Sequence, residues 1–514
     1  MADNNNETKG IWKVIGASSV GTLIEWYDFY IFGSLATVIA NQFFPKTNPT
    51  AALLSTLATF AAGFIVRPFG ALVFGRLGDL IGRKYTFLLT LILMGGSTFA
   101  IGLVPSYESI GFAAPIIVLL LRLLQGLALG GEYGGAATYV AEHAPPDRRG
   151  YFTSWIQTTA TLGLFVSLGV ILLTRHSLDT DLQKSIAKFN DWGWRIPFLV
   201  SILLVIVSIY IRLKMKESPL FSKLKSEGKV SVNPLKESFV HRGNLKMVLL
   251  ALFGATMGQG VIWYTGQFYA QSFIENVCKI DFDQSRTIII WAILFATPFF
   301  VVFGAWSDKV GRKWIMMAGM LAGILFYRPI YRQFVELSDI SKLKLEQTLT
   351  AGETSVKRQL INGSSDSLVT TTTLYSLADG LRYKQVDVDT VFSSGRVGKA
   401  AGIQTEKKLP SSTYWNFVLL VFVQIIFVTM VYGPIAAFLV ELFPTKIRYT
   451  SMSLPYHVGN GVFGGLTPFI ATLLTTIYTG DKLVGLWYPI GVAAVCLLIG
   501  VLYVSNHIDP DVND

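Results

Sequence analysis

Apolar and small residues gather along this chain into twelve long runs separated by shorter polar breaks: 14–44, 51–74, 85–104, 112–141, 152–174, 195–213, 246–274, 286–306, 314–330, 413–440, 449–477 and 484–506. A bilayer core about 30 Å thick takes roughly 20 apolar residues per helix. The pattern therefore predicts twelve membrane-crossing helices, numbered spans 1 to 12 in chain order. Composition agrees: of 514 residues, 52% are hydrophobic and 15% charged, with a mean hydropathy of +0.49, outside the balance of a soluble domain. The first run follows the polar stretch MADNNNETKG, exceeds a signal-peptide core in length and lacks a small-residue cleavage site, so it is expected to stay as a span. The expected class is an all-α polytopic membrane protein.

A net charge of +10 invites a nucleic-acid reading, but the positive residues cluster in alternate loops, which is a topology signal. With the N-terminus inside, the inner segments hold 21 Lys and Arg and the short outer loops hold 7. Both termini are then expected in the cytoplasm, in an inner (plasma) membrane, with lipids and not nucleic acid as partners. The basic stretch 214–245 is the expected cytoplasmic linker, lying against anionic lipid. Cys278 and Cys496, far apart in sequence, form no metal or disulfide spacing.

Two stretches repeat: GRLGDLIGRK from Gly75 to Lys84, and GAWSDKVGRK from Gly304 to Lys313, at an offset of 229. EHAPPDRRGY and ELFPTKIRYT align Glu142 with Glu441 and Arg149 with Arg448 at an offset of 299. Two six-helix halves are expected, 1–213 and 246–506, the second longer by about 70 residues. The excess fits 334–411, a polar, Ser- and Thr-rich insert between spans 9 and 10 that falls on the outside. It is expected to be disordered or weakly β, and the alternation in RYKQVDVDTVF points to a strand.

The repeated G-x-x-x-D-x-x-G-R-K pattern, on inner loops of a twelve-span chain with two halves, resembles the loop motif of the major facilitator superfamily. Glycines permit a tight turn, the carboxylate can face a helix N-terminus or a basic partner, and the basic pair anchors at phosphates. Gly75, Asp79, Gly82, Arg83 and Lys84, with Gly304, Asp308, Gly311, Arg312 and Lys313, are the expected gating residues. Further runs, among them EWYDFYIFG, RPFG, RLLQGLALGGEYGGA, EHAPPDRRG, WGWRIPFL, ESPLF and YGPIAAFLVELFP, resemble the metabolite:proton symporter family over the whole chain except 334–411. The resemblance implies a proton-coupled importer of organic acids such as α-ketoglutarate, citrate and shikimate, or of zwitterions such as proline and betaine. It implies two six-helix halves of the major facilitator fold, with no cofactor. Span 5 lacks the Gly-Pro signature of drug antiporters, which argues against efflux. The chain ends about eight residues after span 12, where the osmosensory branch of the family carries a coiled coil, so osmotic sensing is not expected.

Ionisable groups within spans are costly, roughly 2.5–3.5 kcal/mol even on insertion scales, and face a cavity or a partner. Glu25, Asp28, Arg67, Arg122 and Glu132 all fall within apolar runs of the first half. Glu25 and Asp28 share one helical face. Together with Glu132 and Arg122 they are the expected proton-coupling groups. Arg67 and Arg122 can take a substrate carboxylate in bidentate fashion. Gln259, Tyr264 and Gln267 of span 7 and His457 and Asn460 of span 11 are expected to complete the substrate site as a neutral wall. Gly126, Gly130 and Gly134 are expected to pack helices closely. The expectation is a transporter, not an enzyme, that works by alternating access and functions as a monomer. A facilitator or antiporter on the same scaffold, or more remotely a receptor acting through 334–411, are the alternatives.

Overall fold

The computed structural model describes residues 2–45, 48–81, 83–131, 137–138, 140–141, 143–214, 234–339, 350–360, 367–376, 381–391, 396–399, 404–444 and 447–506. Among them, nine helices are long and apolar enough to cross a membrane: Pro49–Phe74, Ala113–Gly130, Pro146–Ser177, Arg242–Asn276, Phe282–Val310, Arg312–Leu337, Ser411–Leu442, Thr450–Ile477 and Val484–Tyr503. Two bent pairs, Ser18–Ser34 with Ala36–Phe43 and Leu182–Gly193 with Arg195–Tyr210, bring the number to eleven, and Leu88–Leu103 is a shorter apolar helix. These twelve fall one for one on the twelve apolar runs. The 62° bend in span 1 follows the Gly33-Ser34 pair, the kind of step at which helices kink. A 64° bend in span 6 follows a π-helical turn, Phe189–Gly193.

The chain forms two compact units. The first comprises Met1–Tyr269, Ala292–Tyr327 and Phe422–Asp514. Within it span 1 packs on spans 5 and 6, span 3 on spans 4 and 6, span 5 on span 8, and span 7 on spans 11 and 12. Spans 2 and 4 approach until backbone meets backbone. A Cβ on Gly126 would sit 1.8 Å from the Gly63 carbonyl oxygen, and one on Gly130 would sit 2.1 Å from that of Arg67. This close approach sets Arg67 and Arg122 on neighbouring helices. Gly134, expected to extend the stripe, lies outside the described residues.

The second unit comprises Ala270–Trp291 and Arg328–Val421. Its insert is an antiparallel sheet of β1 (Thr350–Leu360), β2 (Ser367–Ser376), β3 (Arg382–Val391), β4 (Val397–Lys399) and β5 (Gln404–Lys408). The order is β1-β2-β3-β4, with β5 also pairing β3. The Thr370–Thr373 run, β-branched throughout, forms the middle of β2, with Thr372 opposite Val386 and Thr370 opposite Val388. The alternating valines anticipated as a strand are thus in β3. Within β5, Lys407 bonds by its backbone to Lys279 and Asp281, and just beyond it the Gln284 amide grips both backbone groups of Leu409, at 3.0 and 2.7 Å. Arg286, fully buried, pairs with Glu275 at 3.2 Å.

Candidate functional site

Span 1 supplies the centre. Glu25 and Asp28 are both buried, and neither oxygen of Asp28 has a hydrogen-bond partner. Phe29, one residue further, carries a guanidinium at close range twice over: Arg67 lies 4.3 Å and Arg122 4.2 Å from its ring centroid. Both arginines are essentially without exposure. Arg67 is flanked by rings, Phe64 at 4.1 Å and Trp26 at 5.5 Å besides Phe29, and its Nε and Nη2 have no hydrogen-bond partner among the described residues. Arg122 donates from Nη1 to Gln125 Oε1 at 2.7 Å, while its bonds to the Phe29 and Phe60 carbonyls are long, 3.4 Å each. Among the described residues no carboxylate pairs with either arginine. Two buried cations with unmet donors are poised for an anion, since a guanidinium binds a carboxylate with two parallel hydrogen bonds.

An aromatic stack borders these charges. Trp26 stacks on Tyr30 at 4.9 Å, Tyr30 on Trp263 of span 7 at 5.4 Å, and Phe268 approaches Tyr30 at 5.0 Å and Phe60 at 5.4 Å. Gly33 leaves room for this closure, because a Cβ there would lie 2.8 Å from the Phe268 ring. A polar chain continues from Gln259, whose amide donates to Asn460 Oδ1 at 3.2 Å. Asn460 donates to the Tyr456 hydroxyl at 3.2 Å, and Tyr456 meets Tyr432 at 2.9 Å. Gln267 reaches Thr161 of span 5 weakly, at 3.5 Å. Span 7 is π-helical over Thr265–Tyr269 and span 11 over His457–Gly464. The wider turns fall on Gln267, His457 and Asn460, as π-turns often do at functional sites.

The structure therefore sets Arg67 and Arg122 on either side of Phe29, with Tyr264 5.1 Å from Phe64 and 4.9 Å from Trp263; Gln259 and Asn460 are bonded to each other, Gln267 turns to span 5, and Asp28 lies against Gly95 of span 3. His457 lies in the same stretch of span 11 as Gly461, where a Cβ would sit 3.6 Å from Arg67 Cδ. Glu132 lies outside the described residues, as does Gly82, and the side chains of Gly75, Asp79, Arg83 and Lys84 are likewise outside what is described.

The second loop motif is fully visible and its residues divide the work. Asp308 accepts from the backbone N–H groups of Gly150 and Tyr151, both at 2.8 Å, where span 5 begins. That is a carboxylate on the positive end of a helix. Arg312 binds Asp308 at 2.6 Å, Ser307 at 2.8 Å and both oxygens of Glu441, at 2.8 and 3.1 Å. Gly304 is pressed against span 5, where a Cβ would meet Ser154 Cβ at 2.4 Å, and Gly311 takes a left-handed φ of 91°. Lys313 donates to the Val501 carbonyl at 2.9 Å. Together these contacts clasp spans 5, 8 and 10 at one end.

Sequence reasoning did not find Gln125 as the partner of Arg122, Thr98 as the acceptor of the Gln125 amide at 2.6 Å, Glu441 as the partner of Arg312, or Gly150 as the partner of Asp308. The recurring 229 and 299 offsets were a signal for the last two, because two motif pairs repeated in register are expected to face each other. A cavity of about 500 Å³ opens at the end of spans 1, 2 and 4 between Phe44, Asn48, Ser55, Tyr107 and Leu119, but no charged residue lines it. It offers nothing to a carboxylate.

A family model described as "Sugar (and other) transporter" matches residues 13–229. The inner membrane metabolite transport protein YhjE of Escherichia coli (strain K12) is 32% identical over 490 residues, 95% of this chain and 93% of that protein. The alpha-ketoglutarate permease of the same organism is 30% identical over 502 residues, 97% of this chain and 95% of the permease. Its proline/betaine transporter is 34% identical over 334 residues, 62% of this chain and 64% of the transporter. Among solved structures, the proton:xylose symporter XylE bound to 6-bromo-6-deoxy-D-glucose has a TM-score of 0.66 at 14% identity, covering 97% of both chains. That likeness establishes the fold.

Proposed function

From the premise that this chain belongs to the major facilitator superfamily, among its metabolite transporters, we propose that it is a proton-coupled symporter importing a small organic acid or zwitterion by alternating access. The observation that carries the reading is the charge pattern around Phe29. Two buried guanidinium groups flank its ring without a carboxylate partner among the described residues, and Asp28, the residue before it, is a buried carboxylate without a hydrogen-bond partner. Ionised Asp28 in that setting is costly by several kcal/mol. Its charge has to be cancelled either by a proton or by a mobile cation, and a site that alternates between those two is a proton-coupling site. The substrate carboxylate would take Arg67 and Arg122, and the Trp26, Tyr30 and Trp263 stack would flank an apolar or cationic body.

On this reading residues 1–213 and 246–506 rock against each other as two halves. Glu25, with Glu132, assists Asp28 in proton coupling. Gln259, Tyr264, Gln267, His457 and Asn460 complete the substrate wall. The two loop motifs gate the cytoplasmic side, both termini and the 214–245 linker face the cytoplasm of a plasma-membrane protein, and 334–411 lies outside. The working unit is the monomer. The relatives' names, metabolite, alpha-ketoglutarate and proline/betaine, support a carboxylate-bearing solute.

Purified protein in proteoliposomes tests the proposal with labelled α-ketoglutarate, proline and glycine betaine. With no imposed gradient, substrate influx is expected to carry protons inward, read by a dye trapped in the lumen, and a protonophore is expected to abolish accumulation. Uptake indifferent to the protonophore would refute symport and leave a facilitator.

A further inference from the structure

We infer that the Phe29 ring divides the site into two carboxylate subsites, one at Arg67 and one at Arg122, so that the transported solute is a dicarboxylate and neither a monocarboxylate nor a zwitterion. The inference rests on the reading above that these arginines take the substrate, and it adds how many carboxylates they take.

The first observation is a count of charge. Arg67 and Arg122 are essentially without exposure, and no ion pair joins either to a carboxylate among the described residues. The acceptors that Arg122 reaches there are neutral: the Gln125 amide oxygen at 2.7 Å and the carbonyls of Phe29 and Phe60 at 3.4 Å each. Its Nε has no hydrogen-bond partner, and neither Nε nor Nη2 of Arg67 has one. A buried charge left unpaired is costly, so the pair of arginines calls for two negative charges. A monocarboxylate brings one. A zwitterion brings one and adds a third positive charge. A dicarboxylate brings both.

The second observation is the place of the ring. Arg67 Cζ is 4.3 Å and Arg122 Cζ 4.2 Å from the Phe29 centroid, on either side of it. Their other ring neighbours differ. Arg67 has Phe64 at 4.1 Å and Trp26 at 5.5 Å, whereas Arg122 has Phe32 at 4.7 Å and Phe60 at 5.0 Å. Gly461 of span 11 borders Arg67, since a Cβ there would be 3.6 Å from its Cδ, while Arg122 bonds to Gln125 on its own span. Two parallel hydrogen bonds require a carboxylate to face the planar edge of one guanidinium. With a phenyl ring between the arginines, one carboxylate does not meet both edges, and each arginine takes its own.

The subsites are nonetheless close. The two arginines are electrostatic neighbours of each other, and Tyr264 of span 7 is a neighbour of both. A single short chain can therefore carry both carboxylates.

Calorimetric titration of the purified full-length protein tests this without a proton gradient. Near pH 7, where both carboxylates of a diacid are ionised, succinate, glutarate and adipate are compared with their monomethyl esters, which keep the chain and lose one charge, and with glycine betaine. The best of these diacids is expected to bind at least tenfold more tightly than its own ester and than betaine, the factor that one charge-assisted pair supplies. Arg67→Gln and Arg122→Gln are each expected to bring the diacid down to the level of the ester. Phe29→Leu, which takes the ring away, is expected to shrink the ratio at least threefold, because the guanidinium groups can then close on one carboxylate. An ester or betaine that binds the wild-type protein as tightly as the diacid overturns the inference, and so does a lack of binding by every diacid. Those wild-type titrations decide even where a variant fails to fold. An undiminished ratio in a folded Phe29→Leu protein overturns the dividing role of the ring. Failure of the symport reading looks different: the diacid preference holds while wild-type uptake ignores a protonophore.

Discussion

Asp308→Asn should loosen the clasp between spans 5 and 8, and the structure sizes the effect. Asp308 accepts three donors at once, the Gly150 and Tyr151 N–H groups at 2.8 Å each and Arg312 at 2.6 Å. Its side chain is only 8% exposed, so solvent screens little of this. A hydrogen bond to a charged partner contributes about 1.5–3 kcal/mol against about 1 kcal/mol for a neutral one. The amide keeps one acceptor oxygen but turns an NH₂ toward donors, for a net loss of about 2 kcal/mol, or roughly 30-fold in the population of the unclasped form. Arg312 stays anchored on both oxygens of Glu441, so the variant is expected to fold. Ser154, fully buried against Gly304, is the reporter. With Cys278 and Cys496, both buried, replaced by alanine, a cysteine at 154 is labelled by a membrane-impermeant maleimide in inside-out vesicles. The labelling rate is expected to rise about 30-fold in Asp308→Asn, the full population shift, because reagent traps the opened form. Unchanged labelling in a folded variant would show that Asp308 does not hold this end shut.

Three further outcomes are expected. Asp28→Asn, neutral at every pH, should retain substrate exchange within about threefold while accumulation driven by a pH gradient falls more than tenfold; full accumulation in that variant would remove Asp28 from proton coupling. Arg67→Lys keeps the charge but loses the planar fork and its stacking on Phe29 and Phe64, so KM for a carboxylate substrate should rise at least tenfold; an unchanged KM would place the carboxylate elsewhere. Replacing 336–408 by a short linker should leave uptake within about twofold, since the insert makes its own sheet; complete loss in a folded, inserted protein would make the insert part of the transport cycle.

The twelve spans were legible because a run of apolar residues is sufficient to predict a helix in lipid, where every backbone group must be bonded within the segment. Glu25, Asp28, Arg67 and Arg122 were legible for the converse reason, that charge inside such a run needs explaining. The bond from Gln125 to Thr98 was not, because glutamine and threonine are unremarkable in a span and the two residues are 27 apart on different helices. The Asp308 clasp reaches 158 residues along the chain and was legible only as a repeated motif, without its partner. The π-turns at Gln267 and His457 leave no trace in hydrophobic periodicity. In the insert, the valine alternation identified β3, but nothing local to Gln284 announces its grip on Leu409.

Asp28 and Asp308 have the same side chain in the same chain, and their surroundings are opposite. Asp308 is saturated: two backbone N–H groups at a helix start and an arginine meet its oxygens, so its negative charge is compensated wherever the clasp is closed and exposed when it opens. A charge that is satisfied in one conformation and not in the other biases the conformation, which is what a gate requires. Asp28 is starved: it is fully buried and neither of its oxygens has a hydrogen-bond partner. Such a group cannot bias the fold by its charge without first losing or gaining something that cancels it, and a proton is the smallest thing that can. Exchanging the surroundings should therefore exchange the behaviour. A donor placed beside Asp28, as in Gly95→Ser, puts a hydroxyl within reach of Oδ2 but also forces Val205, which would lie 1.9 Å from the new Cβ. The paired change Gly95→Ser with Val205→Ala relieves that clash. It is expected to stabilise ionised Asp28 and to shift half-maximal uptake to lower pH, whereas Val205→Ala alone should not. A pH profile that the double variant leaves in place would count against Asp28 as the group that takes up the proton.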